Sequence, residues 1–141
     1  MKKIFISSDH AGYKLKEAIK LHLSKKKLSF QDMGPYNDNR VDYPDFAHKL
    51  AKRVKKNKNN FGILVCGSGM GMNISANRHK NIRAAQCFNL KSTKLSRLHN
   101  NANIITLGSR LLTKKTALSC VRVFLNTKFE GGRHSKRIKK I

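Results

Sequence analysis

Phe61-Gly62-Ile63-Leu64-Val65-Cys66-Gly67-Ser68-Gly69-Met70-Gly71 decides how this chain is read. An apolar run stops at a cysteine, enters a glycine-rich turn and leaves through Met70 to Asn77, a stretch that can be helical. Strand, glycine turn and helix in that order make the βα unit of a parallel sheet. The turn sets a thiol where backbone N–H groups converge. Such a place suits an anionic oxygen, because the first amides of a helix lack partners and carry partial positive charge.

Outward from this segment the same rhythm continues. Lys3 to Ser7 reads as a strand, and Gly12 to Lys26 as a helix with Leu15, Ala18, Ile19 and Leu23 at helical spacing and lysines between them. Leu28 to Met33 is a second strand, followed by a loop over residues 34–39 and a helix over Asp42 to Lys56 with Pro44 near its start. After the central unit come a strand at Ile82 to Gln86, a helix at Leu90 to His99 and a strand at Asn103 to Leu107. A helix at Thr113 to Asn126 follows, and beyond Gly131-Gly132 a short basic segment, Arg133 to Ile141, can form a final helix. Strands that are nearly all apolar imply a parallel sheet covered on both faces. The expected architecture is a single α/β domain over residues 1–141, a three-layer Rossmann-like fold with a five-stranded parallel sheet.

Composition narrows the class. With 141 residues, 39% of them hydrophobic, the chain can bury a real core, and no apolar run approaches the ~20 residues that span a bilayer. The opening Met1-Lys2-Lys3-Ile4-Phe5-Ile6 reads as a first strand rather than a leader, because Asp9 and His10 follow so soon; a cytoplasmic location is expected. Cys66, Cys87 and Cys120 are odd in number and form no CxxC pair, which argues against a disulfide framework or a zinc site. Cys87 and Cys120 lie in apolar segments and read as inert core thiols. The formal charge of +24 admits a nucleic-acid binder. The basic residues are, however, spread along the chain rather than gathered in one arm, so compositional bias is the preferred reading and any nucleic-acid contact would be non-specific.

Ligands of open α/β folds collect beyond the carboxyl ends of the strands. That rule selects Asp9 and His10, the turn Cys66 to Gly71, and Gly108-Ser109-Arg110. The glycine turn lacks dinucleotide spacing and a Walker lysine, so it is either a tight turn with a buried cysteine or a site where a thiolate removes a carbon-bound proton. In the second case backbone donors and the Ser68 hydroxyl stabilise the resulting enediolate. His10 can bind phosphate or move protons, and His99 ends a helix. Arg133 and Arg137 are four apart, so a helix would put both on one face that suits a phosphate dianion, although composition alone favours a frayed basic tail. His22, His48 and His79 read as structural or exposed, Tyr43 and Phe46 as packing residues, and no His/Asp/Glu cluster has metal spacing.

Taken together, these segments resemble the type B ribose-5-phosphate isomerases, in the family that also holds bacterial galactose-6-phosphate and allose-6-phosphate isomerases. The resemblance runs through Ser8-Asp9-His10-Ala11-Gly12, Asp42-Tyr43-Pro44, Cys66 to Gly71, Ala76-Asn77 and Ile82-Arg83-Ala84. It continues through Leu95-Ser96-Arg97-Leu98-His99-Asn100, Asn103, Gly108-Ser109-Arg110 and Glu130-Gly131-Gly132-Arg133-His134. It implies interconversion of ribose 5-phosphate and ribulose 5-phosphate, a step of the pentose phosphate pathway, without metal or organic cofactor. A six-carbon sugar phosphate is the alternative substrate, and a nucleic-acid-binding protein on the same scaffold the alternative from another class. Position by position, Cys66 matches the catalytic base and His99 the ring-opening proton donor, with Ser68 beside them. Asp9 and His10 match substrate-binding positions, and Gly67, Ser68, Gly69, Met70 and Gly71 match an anion hole. Asn100, Arg110, Arg133 and Arg137 match sugar- and phosphate-binding positions. The resemblance further implies a homodimer or tetramer whose site is shared between subunits, with the basic segment 129–141 contributing to the site or the dimer. Met72 stands where another branch of the family carries a glutamate, so Cys66 marks the cysteine-dependent branch; Thr93, where relatives often have a smaller residue, implies only local repacking.

Overall fold

The structure is a computed structural model and describes residues 2–141. Its elements run β1 (Lys3–Ser8), α1 (Tyr13–Lys25), β2 (Phe30–Asp32), α2 (Tyr43–Val54), β3 (Asn60–Cys66) and α3 (Met70–Ala76). They continue with β4 (Ala84–Gln86), α4 (Leu90–Leu98), β5 (Ile104–Gly108), α5 (Lys114–Asn126) and α6 (Arg133–Ile138). Every element expected from the sequence forms. β2 and β4 are shortened to three residues each, at the two edges of the sheet, where each has a single neighbour. All pairings are parallel, in the order β2-β1-β3-β5-β4.

The alternation of strand side chains explains the three layers. Ile63 and Val65 of β3 point into one core with Leu15, Ile19 and Leu23 of α1 and Val121, Phe124 and Leu125 of α5. Leu64 and Cys66 point the other way, into a core with Leu50, Ala51 and Val54 of α2 and Met72 and Ala76 of α3. Cys66 thus ends a fully buried strand on the α2/α3 side.

One lysine departs from the expected solvated helix face. Lys16 has 0% exposure, and its Nζ donates to Asp32 Oδ1 (2.8 Å), Asp32 Oδ2 (3.0 Å) and the Pro35 carbonyl (2.5 Å). Lys20 adds a second ion pair to Asp32 at 2.7 Å. Burial alone would raise the Asp32 carboxyl, but the hydrogen bonds from Lys16, Lys20 and the Gly34 amide take it below its ordinary range. The staple ties α1 to the carboxyl end of β2.

The connections define two ends of the sheet. From β1 the chain goes outward to β2, then crosses back to β3 on the other side of β1. The crevice between β1 and β3 is therefore the topological switch point, at which ligands of such sheets bind. The opposite end carries the turn from α4 into β5, residues 99–103. Arg97 clasps that turn: it is buried and donates to Thr127 O, Asn101 Oδ1 and Ala102 O. Burial, reinforced by Arg83, takes its guanidinium down to about 10.

Candidate active site

A cavity of about 310 Å³ opens at the switch point, lined by Asp9, His10, Tyr43, Cys66, Ser68 and Arg110, among others. Its floor follows from the ends of three strands. Cys66, the last residue of β3, pairs in register with Gly108, the last of β5. The turn after β5 is fastened to the turn after β3, since Ser109 N–H donates to Cys66 O (2.8 Å) and Arg110 N–H to Gly67 O (3.0 Å). It is also fastened to the turn after β1, as the Ser109 hydroxyl donates to Ala11 O at 2.9 Å.

The turn after β3 is shaped around the sulfur. Gly69 has φ +78, a left-handed conformation that L side chains rarely adopt, and its N–H donates to Cys66 Sγ at 3.1 Å. Met70 N–H donates to Ser68 Oγ at 3.2 Å, leaving the hydroxyl hydrogen of Ser68 free to donate. The first backbone bond of α3 is Asn73 N–H to Gly69 O, so the amides of Gly71 and Met72 stand ahead of it, unpaired within the helix. Gln86 of β4 donates to Ser68 O at 2.6 Å and holds the turn from the far side.

Asp9 and His10 are set with equal care. Asp9 is buried, and its Oδ1 accepts the Gly12 N–H at 2.9 Å, closing the turn that leads into α1. Gly12 itself admits no larger residue, because a Cβ there would lie 2.4 Å from the Val65 carbonyl oxygen. Val41 N–H donates to His10 Nδ1 at 3.2 Å. In the neutral ring the proton then sits on Nε2, so His10 presents a donor.

The remaining candidates lie elsewhere. His99, Asn100 and Arg137 line a separate cavity of about 410 Å³ with His134, Ile138 and Ile141. His99 follows the last residue of α4 and so precedes β5, whereas Cys66 lies beside its final residue. The five-residue strand between them spans roughly 16 Å at ~3.3 Å per residue. One copy of the chain therefore keeps Cys66 and His99 at opposite ends of its sheet. Arg133 reaches the second group through Glu130, with Nη1 3.7 Å from Oε1. Of the glycine turn, Gly67, Ser68 and Gly71 line the first cavity; Gly69 and Met70 shape the turn, with the Met70 side chain half exposed.

Three features escape the sequence. Tyr43, expected to pack, is exposed and lines the Cys66 cavity, because it opens α2 at the mouth of the crevice. His48 and His79, expected to be structural or exposed, hydrogen-bond each other at 2.7 Å. And a His/Glu cluster does exist: His99, Glu130 and His134 bring ligand-type atoms within 4.8 Å of one another. The segment leading into α6, docked by Glu130 N–H to Leu98 O at 3.1 Å, brings together residues so far apart in sequence. The rings of His99 and His134 stack with centroids 4.2 Å apart. Burial pushes the His134 imidazole below its ordinary pKa, and His99 and Arg133 add to the effect. Cys87 and Cys120 are buried and free as expected, and burial raises the Cys87 thiol.

Known proteins share this fold. The ribose/galactose isomerase family model matches residues 4–141. The ribose-5-phosphate isomerase B of Escherichia coli strain K12 is 39% identical over 141 residues, covering 100% of this chain and 95% of its own. A crystal structure of a ribose 5-phosphate isomerase from Thermotoga maritima superposes with a TM-score of 0.95 at 47% identity, covering 99% of this chain and 96% of that one. The Mycoplasma genitalium ribose-5-phosphate isomerase B with bound ribulose-5-phosphate gives a TM-score of 0.94 at 46% identity, covering 98% and 92%. A match this complete, over the same turns that build the cavity, makes the chain a member of the ribose/galactose isomerase family.

Proposed function

We propose that this protein interconverts D-ribose 5-phosphate and D-ribulose 5-phosphate through an enediolate, in an assembly where each site takes residues from two copies. The observation that carries this reading is the division of one complete isomerase set between the two ends of the sheet. Asp9, His10, Cys66, Ser68 and Arg110 gather at one end, and His99, Asn100 and Arg137 at the other. A two-fold pair of copies placing one end against the other restores the set twice.

In the joined site, His99 of the second copy donates a proton to the ring oxygen and opens the furanose, with Asp9 at the sugar hydroxyls. Cys66 takes the C2 proton as a thiolate and returns it to C1, while the proton of the C2 hydroxyl passes to O1, leaving C1 an alcohol and C2 the carbonyl. The negative charge that develops on the C1 and C2 oxygens meets the Ser68 hydroxyl and the free amides at the start of α3. Donors already aimed at that position need no rearrangement as the charge forms, and each is typically worth ~100- to 1,000-fold in turnover. His10 and Arg110 hold the phosphate from one side, and Arg133 and Arg137 of the second copy from the other; paired guanidiniums match its oxygens.

Mixing inactive variants tests both halves at once. Cys66→Ala and His99→Asn are each expected to lose activity on ribose 5-phosphate. Unfolded together and refolded at equal amounts, they should recover about a quarter of wild-type activity, because half the random dimers carry one intact site. No recovery would show that each site belongs to a single copy. A wild-type protein without turnover would dismiss the reaction itself.

A further inference from the structure

We propose that His99, Glu130 and His134 form a binding site for a zinc-class divalent cation, and that the bound ion withdraws His99 from isomerisation. The second half rests on the role given to His99 above; the first does not.

The donor set comes first. Two imidazole nitrogens and a carboxylate oxygen suit zinc and its neighbours, whereas calcium and magnesium prefer oxygen alone. His99 Nε2 lies 4.0 Å from Glu130 Oε2, and His134 Nε2 lies 4.0 Å from Glu130 Oε1. Both separations exceed hydrogen-bonding range, so the carboxylate sits between two imidazoles without satisfying either.

The second observation points to a missing ligand. His134 is 5% exposed, and its Nε2 has no hydrogen-bond partner. A buried polar atom left unpaired is costly, and structures rarely tolerate one without a reason. This atom faces the cluster, and a metal ion there would occupy it.

The geometry is within reach. Metal–ligand bonds of ~2.0–2.2 Å in a tetrahedron put neighbouring ligand atoms roughly 3.4 Å apart. The three atoms lie within 4.8 Å now, so they must contract by an ångström or so. The contraction falls on Glu130 and on His99, whose side chains are 45% and 37% exposed, and the His99 ring must swing out of its metal-free stack on His134, which stays fixed as the anchor. Arg133, 3.7 Å from Glu130, competes for the carboxylate and is released when the ion binds. The fourth position opens into the cavity shared with Asn100 and Arg137. An ion seated here holds the Nε2 lone pair of His99, leaving that nitrogen no proton to give to a sugar ring oxygen.

Cobalt(II) reports such a site directly. Wild-type protein stripped with EDTA is titrated with Co²⁺ and read by visible absorption. Zinc inhibition of ribose 5-phosphate turnover is measured beside it. The expected result is about one Co²⁺ per chain with tetrahedral-type d–d bands, displaced by zinc. The bands persist in Cys66→Ala and are lost in Glu130→Gln and His134→Asn. Glu130 is solvent-exposed, so its variant should fold even if the other does not. Zinc is expected to inhibit wild type reversibly, EDTA to restore it, and Glu130→Gln to need at least ~10-fold more zinc. Bands that survive Glu130→Gln, vanish in Cys66→Ala or never form would overturn the site. Binding without inhibition would overturn the regulatory half. A protein that binds Co²⁺ but turns over no sugar phosphate would sink the isomerase reading and leave the site standing.

Discussion

The two ends of the sheet are built by different means. At the carboxyl end, three turns are sewn together by backbone bonds, and the sulfur of Cys66 is held by a neighbouring amide. Its framework is fixed, but Ser8 Oγ is buried without a partner, and the Ser68 hydroxyl hydrogen and the first amides of α3 stay free. At the opposite end, the chain entering α6 is tied to the end of α4 by one backbone bond from Glu130 and by the stack of His134 on His99, and His134 Nε2 has no partner. The framework of the first end is closed within one chain. The second carries charged and aromatic groups whose company is incomplete, as expected of a surface that completes a site on another copy or takes a ligand.

The contrast breaks most sharply on the thiol. Cys66→Ala should lower kcat on ribose 5-phosphate by ~1,000-fold or more, because a positioned general base contributes ~100- to 10,000-fold and nothing nearby replaces it. The unfolding temperature should barely move. His99→Asn should cost less, roughly 100-fold, since sugars also open in solution and supply some linear substrate. If the two losses were equal, the ends would be acting in one inseparable step rather than two.

The carboxyl end also rests on the Lys16–Asp32 staple, and its removal sharpens the comparison in stability rather than rate. Asp32→Asn leaves the buried Lys16 with the Pro35 carbonyl, a neutral amide oxygen and Glu17 at 3.6 Å in place of its close carboxylate, and breaking a buried pair this way costs about 3–5 kcal/mol. Denaturant unfolding would measure it; a loss below about 1 kcal/mol would mean that water replaces the carboxylate. The pH dependence follows from the same pair. Asp32 has a folded pKa below its unfolded value of roughly 3.9, so its contribution is complete above that value. It disappears as pH falls through the lower folded pKa, and the acid-unfolding transition of wild type should exceed that of Asp32→Asn by a shrinking margin below pH ~4.

Much of the first end is legible in the sequence, and much of the second is not, for a physical reason. Asp9, His10, Cys66 and Arg110 each end a strand or follow one within two residues, and parallel sheets align their strand ends. Period and turn chemistry thus suffice to gather them. The placement of Glu130 and His134 against His99 depends on how a short terminal helix docks, which no local pattern encodes. Arg133 and Arg137 were legible as one helix face; their distance from Cys66 within one copy was not. Burial of Lys16 also escaped, because a lysine beside apolar positions on a helix usually snorkels to water. Here the staple to Asp32 closes over it.

The smallest expected effect asks what holds His99 in place. α4 begins with a capping box: Ser92 N–H donates to Asn89 Oδ1 at 2.8 Å, and Ser92 Oγ accepts from Asn89 N–H at 3.3 Å. Asn89→Ala should cost about 1 kcal/mol, or roughly 3–5 °C in unfolding temperature for a domain of this size. At the other terminus, His99 is fixed by its stack on His134, and the turn beyond it by the three bonds of Arg97. These contacts do not pass through the cap. Activity at 25 °C should therefore stay within twofold of wild type while thermal stability drops. A larger loss of activity would mean that the helix itself aims His99, and that the second end is less independently held than its contacts imply.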